Sequence, residues 1–189
     1  MILIGTIASS LLQNVDNGVM DPLQVITVGP SGAANVEFTS IPATYTHLQI
    51  RGMAKDSNST TQQLRLQINT DTGNNYAYHQ LFGNGSSVSA GAAASQALIS
   101  IPYAVALNNV TSVFGVTIVD ILDYANTNKY KTVRSLHGTD VNGNDGVVGI
   151  SSGLWQNTSA ITSIKFFLTG GANFAQHSQF ALYGIKGAV

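Results

Sequence analysis

Four histidines, His47, His79, His137 and His177, are the side chains best suited to hold a metal or move a proton. They fall in separate segments. No two have the short spacing that presents paired imidazoles on one face, so no metal site is expected. Asp120 and Asp123 are the nearest thing to an acid and base pair. Three residues apart on a strand, they point to opposite faces, and Asp123 reads better as a turn residue ahead of Tyr124. The stretch Asp140-Val141-Asn142-Gly143-Asn144-Asp145-Gly146 alternates oxygen-bearing side chains in the manner of a calcium loop. Asp145 stands where that loop needs glycine, and Ser151 where it needs glutamate, so a hairpin turn built on Asn-Gly and Asp-Gly is expected instead. Serines abound, but no Gly-x-Ser-x-Gly elbow is expected, and no phosphate-cradling glycine loop precedes a lysine. No catalytic residue and no cofactor are expected.

The elements that would position any site read as β-strands. Period-two segments recur between breaks rich in Gly, Asn and Ser, with no helical stripe between them. Strands are expected near 23–28, 34–38, 46–54, 62–69, 76–82, 96–101, 113–122, 129–137, 147–155, 161–168 and 177–185. The clearest alternation is Gln63-Leu64-Arg65-Leu66-Gln67-Ile68-Asn69, which puts Leu64, Leu66 and Ile68 on one face. Residues 113–122 are apolar on both faces, as central or covered strands are. Lys165 marks a wet position. Residues 83–95, dominated by Gly, Ser and Ala, show no period and read as an exposed loop tip, as do residues 140–146. So many short strands cannot remain in one open twisted sheet, and the expected fold is an all-β, antiparallel jelly-roll-like β-sandwich with an extended N-terminal arm.

Composition narrows the function. The chain has 189 residues, enough for one domain with a real core, and 44% of them are hydrophobic. Only 9% are charged, against roughly 25% in ordinary soluble domains. Asn, Gln, Ser, Thr and Gly keep the surface wet, and such a surface desolvates cheaply in permanent contacts. With a net charge of −1 and no run of Lys or Arg, nucleic acid is not expected as a partner. There is no cysteine, so folding must rest on packing and backbone ladders. The apolar start lacks a basic flank and is short for a secretory signal, and no stretch nears the roughly 18 apolar residues that span a bilayer, so no membrane is expected. Residues 1–22 are expected to form a docking arm outside a sandwich domain covering residues 23–189, or else to fold back over the open edge of their own sheet. Ile2, Leu3, Ile4, Ile7, Leu11, Leu12 and Val15 would be its contact side chains, because apolar surface left in water costs roughly 25 cal/mol per Å².

Several segments carry a resemblance: residues 28–51, residues 120–132, residues 153–164, and the closing Phe180-Ala181-Leu182-Tyr183-Gly184-Ile185-Lys186-Gly187. Here the chain resembles a group of small tailed-phage and cyanophage virion proteins described as structural or tail-associated. The resemblance carries no catalytic motif. It implies a non-enzymatic particle component, located in the virion and assembled in the bacterial host cytoplasm. The expected role is a capsid decoration (cement) or minor capsid protein in symmetric copies, a homotrimer, contacting the major capsid protein. The rival is a tail or tail-fibre module that binds host surface glycans through aromatic platforms. Trp155 and Tyr183 are expected to be ordinary core aromatics, or else rings that seal one end of the sandwich.

Overall fold

The structure, a computed structural model, describes residues 19–58, 62–106, 112–141 and 146–187. Alternating side chains pair into twelve strands. They are β1 (Met20–Thr27), β2 (Asn35–Phe38), β3 (His47–Ala54), β4 (Leu64–Ile68), β5 (Tyr76–Gly83), β6 (Val88–Gln96), β7 (Ile99–Ile101), β8 (Gly115–Ile121), β9 (Lys131–Thr139), β10 (Val147–Trp155), β11 (Ile164–Leu168) and β12 (Gln179–Ile185). They form an eight-stranded antiparallel sheet, in the order β1-β12-β3-β8-β9-β10-β5-β6, and a four-stranded one, β2-β11-β4-β7.

Within that order lies a jelly roll. Eight strands wind back and forth between two four-stranded layers, β1-β12-β3-β8 and β2-β11-β4-β7. Two hairpins, β5–β6 and β9–β10, are inserted into this winding, and both add to the first layer. The expected sandwich is therefore present, enlarged on one side.

The core fills the space between the layers. Leu64, Leu66 and Ile68 of β4 are fully buried, as their alternation requires, and face Leu48, Ile50, Phe180 and Leu182 of the opposite sheet. Phe166 of β11 stacks on Phe180 of β12 at 5.2 Å, and Phe174 meets Phe180 edge-on at 5.3 Å. Each such side chain contributes about 1.5–3 kcal/mol by leaving water. The closing signature is explained by this packing. Phe180 and Leu182 point into the core, and a Cβ at Gly184 would stand 2.4 Å from the Tyr45 ring, so only glycine fits there.

Three expectations need correction. Residues 83–95 are not a loop: Val88–Gln96 is strand β6, paired antiparallel with β5. Met20, Asp21 and Pro22, placed in the arm, belong to β1 and pair with Ile185, Gly184 and Tyr183. Tyr183 is no core ring, because it lies on the outer sheet face with the Arg51 guanidinium 5.7 Å from its centroid. Ile2, Leu3, Ile4, Ile7, Leu11, Leu12 and Val15 lie outside the described residues, as do positions 142–145 of the expected hairpin turn. The strands flanking that turn do form a hairpin, closing on the pair Thr139 and Val147. β8 is central, between β3 and β9.

Candidate functional site

The histidines stay apart. His47 sits on β3, His79 on β5, His137 on β9 and His177 in the turn before β12. His47 Nδ1 accepts the Asp123 amide at 3.0 Å, and Asp123 pairs with Lys129, whose hydrogen bond holds the carboxyl below its usual pKa against the opposing effect of burial. Asp123 thus fixes a turn, as its position suggests, and Asp120 lies elsewhere, on the outer face of β8, accepting from Gln49 Nε2 at 2.8 Å. The two carboxylates do not form an acid and base pair.

One serine motif went against expectation. Gly149-Ile150-Ser151-Ser152-Gly153 has the Gly-x-Ser-x-Gly spacing. All five residues lie inside β10, a regular strand, and Ser151 is buried and faces inward. A nucleophile elbow needs a sharp strand-to-helix turn that exposes its serine, so the spacing here carries no chemistry. Beside it, Ser135 Oγ lies 3.2 Å from His137 Nδ1. Burial pushes the His137 imidazole down to about 4, and its Nε2 has no hydrogen-bond partner. Buried and without a carboxylate, this pair cannot receive a substrate.

Two buried polar devices escaped sequence reading. Lys131 is fully buried, and its ammonium donates to the carbonyls of Asn126 at 2.5 Å, Lys129 at 2.9 Å and Thr158 at 2.9 Å, tying two loops together. Burial, with Lys129 nearby, lowers its pKa. The signal was available, since Lys131 shares strand parity with the inward Val133. Trp155 is core, stacked near Tyr76 at 6.4 Å, with its Nε1 donating to Asp71 at 2.8 Å. Burial acts to raise the Asp71 pKa, but hydrogen bonds from Trp155, Asn75 and the Gly73 amide outweigh it and hold it low. Burial also pushes the Tyr76 phenol up to about 12.

The feature with outward reach is the solvent face of the large sheet. Cross-strand register aligns Arg51, Ile118, Leu136, Ile150, Leu81 and Ala90 in one row from β3 to β6. A second outer row runs Met53, Val116, Gly138, Val148, Gly83 and Val88. Leu136 is 54% exposed, Ile150 53%, Val116 54% and Val148 64%. The inner row beneath them passes from Leu182, Ile50 and Val119 to Ser135, Ser151 and Gln80. Along Ser135–Gly138 of β9 and Val148–Ser151 of β10 the usual alternation is therefore inverted, with Leu136, Val148 and Ile150 turned to water and Ser135, His137 and Ser151 turned inward. Scattered exposed apolar side chains are ordinary, whereas contiguous rows of them mark contact surfaces.

A third outer row is polar: Gln49, Asp120, Arg134, Ser152 and His79. Arg51 Nε donates to Gln49 Oε1 at 3.0 Å, which extends the hydrogen-bonded chain from Asp120 toward β12. The polar row and the Leu136, Ile150 and Leu81 row line a shallow trough of about 420 Å³. A second, wider trough of about 860 Å³ shares Leu136 and runs over Val116 and Val148 toward the β5–β6 turn. The arrangement offers a broad apolar contact strip with a polar margin, and no constellation for bond making or breaking. No protein-family model, curated protein or solved structure matches the chain.

Proposed function

We propose that this protein is a non-enzymatic structural component of a tailed-phage particle, a decoration or minor capsid protein present in symmetric copies. It docks through the outer face of its eight-stranded sheet onto a neighbouring virion protein such as the major capsid protein. The observation that carries the reading is the contiguous outer apolar surface of β8, β9 and β10, where Val116, Leu136, Val148 and Ile150 are each more than half exposed. Contiguous exposed apolar rows of this kind are what a contact surface presents. The low charge of the chain lowers the desolvation cost of such a contact, and the resemblance of its strand and turn segments to virion proteins supplies the setting.

The test is composition of the particle. Mass spectrometry of gradient-purified phage that encodes this chain is expected to find it at a fixed copy number, and its absence from clean particles would remove the reading. The double variant Leu136→Ser with Ile150→Ser, checked for folding by circular dichroism, is expected to lower that copy number.

The polar row supports one second reading, a tail or fibre module for host glycans, because Asp120, Arg134 and His79 border an open trough with apolar residues beside them. Its aromatic platform is weak, since Tyr183 lies off to one side under Arg51. Binding on a glycan array that is lost in Arg134→Ala would favour this reading, and an array with no bound sugar would end it.

A further inference from the structure

The two sheets end in four edge strands, β1, β6, β2 and β7. An edge presents unpaired N–H and C=O groups, and proteins guard it with charge, proline, bulges or shortness. Three of these edges are guarded. β1 carries Asp21 and Pro22, and its register shifts between Pro22 and Gln24. β2 spans four residues and includes Glu37, and β7 spans three. β6 differs in length and composition. It spans nine residues, has no charge and no proline, and its register shift against β5 lies beyond Ala93, at its far end. From Val88 to Ala92 both of its faces are exposed, and Val88 itself is 75% exposed.

We propose that β6 is a self-association edge, pairing antiparallel with β6 of a second copy across a two-fold axis and continuing each eight-stranded sheet into its partner's. Among the described residues no strand pairs with the side of β6 that faces away from β5. A strand paired with itself in reverse must tolerate its own side chains, and β6 does. Centred on Gly91, the pairing sets Val88 opposite Ala94, Ser89 opposite Ala93 and Ala90 opposite Ala92, with no like charges and no two large side chains opposed. This register also preserves side-chain parity, so the outer face of one copy continues into the outer face of the other. The apolar rows that end on Ala90 and Val88 then run on across the axis as one surface. A two-fold pairing replaces the trimer expected from the sequence with a dimer. The inference stands apart from the virion reading, since its test needs only purified protein.

The chain has no cysteine, so single substitutions report cleanly. Ala90→Cys, Gly91→Cys and Ala92→Cys are compared with Thr39→Cys, an exposed site far along the chain. A Cβ at Gly91 would come no nearer than 3.9 Å to Gln80 Oε1, so the site accepts a side chain. Mild oxidation is expected to convert Gly91→Cys into a disulfide-linked dimer well ahead of the control. The unmodified chain is expected to sediment at twice its mass, and Ala92→Lys at the single mass. Ala92→Lys mixed with Ala92→Glu is expected to restore the dimer. A monomeric unmodified chain overturns the proposal, and so does a dimer that fails to cross-link above the control at all three positions. Should Ala92→Lys lose its fold, the cysteine series, which adds no charge, decides.

Discussion

The two halves of the eight-stranded sheet obey opposite rules. In β1, β12, β3 and β8 the inner face is large and apolar, with Leu182, Ile50, Leu48, Val119 and Ile121 packed against the four-stranded layer. In the hairpin strands β9, β10, β5 and β6 the inner face is mixed: Val133, Trp155 and Tyr76 are buried at one end, Ser135, His137, Gly149 and Ser151 face inward further along, and Val88 to Ala92 of β6 is exposed on both faces. The roofing layer explains the change. Its edge strand β7 reaches β10 closely enough that a Cβ at Gly153 would stand 2.5 Å from Ile99, and Gln80 of β5 donates to the Ser100 carbonyl at 2.8 Å. Under the roof, volume is filled by hydrocarbon. Toward its margin the inward positions of β9 and β10 turn small or polar, and Leu136, Val148 and Ile150 lie on the outside. One sheet thus packs a core on its covered half and, in the proposed reading, offers contact on its extended half.

That contrast can be broken by substitution. Phe180→Ala removes a ring held between Phe166 and Phe174, and is expected to cost about 3–5 kcal/mol in urea unfolding, as large core truncations do. A loss below about 1 kcal/mol would mean that the roofed half is not the folding core.

The margin should be sensitive to acid. His137 titrates in the folded state at about 4, below the roughly 6.5 of an unfolded chain, so between these values the unfolded state binds more protons. Stability is then expected to be full above about pH 6.5 and to fall by about 3 kcal/mol as the pH drops to about 4. His137→Gln should flatten this profile in urea titrations at several pH values, and an unchanged slope would show that the histidine is not the group responsible.

The smallest effect is expected on the outer face. Leu136→Ser should alter unfolding stability by no more than about 0.5 kcal/mol, because the side chain is already in water. A loss as large as that of a core residue would mean that the outer row is covered within a single copy, and the division between folding and contact halves would collapse.

Much of the folding half was legible from residue order. Alternation in Gln63-Leu64-Arg65-Leu66-Gln67-Ile68-Asn69 placed the core positions of β4 correctly, because strand parity is a local property of the backbone. The contact half was not. β6 was read as a loop because Ala, Gly and Ser differ too little in polarity to show a period, and its strand state comes from hydrogen bonds to β5. Leu136 shares its parity with Thr132 and Arg134, so residue order on β9 does not show which face is inside.

Sequence by itself determined that the chain would be all-β, that it would form a sandwich, and where most strands lie, since each follows from short-range periodicity and turn residues. Tertiary structure alone decided which strands pair, that two hairpins widen one layer, and which face of β9 and β10 meets water. Parity tells a strand that it has two faces, but only the placement of the second sheet tells it which one is inside.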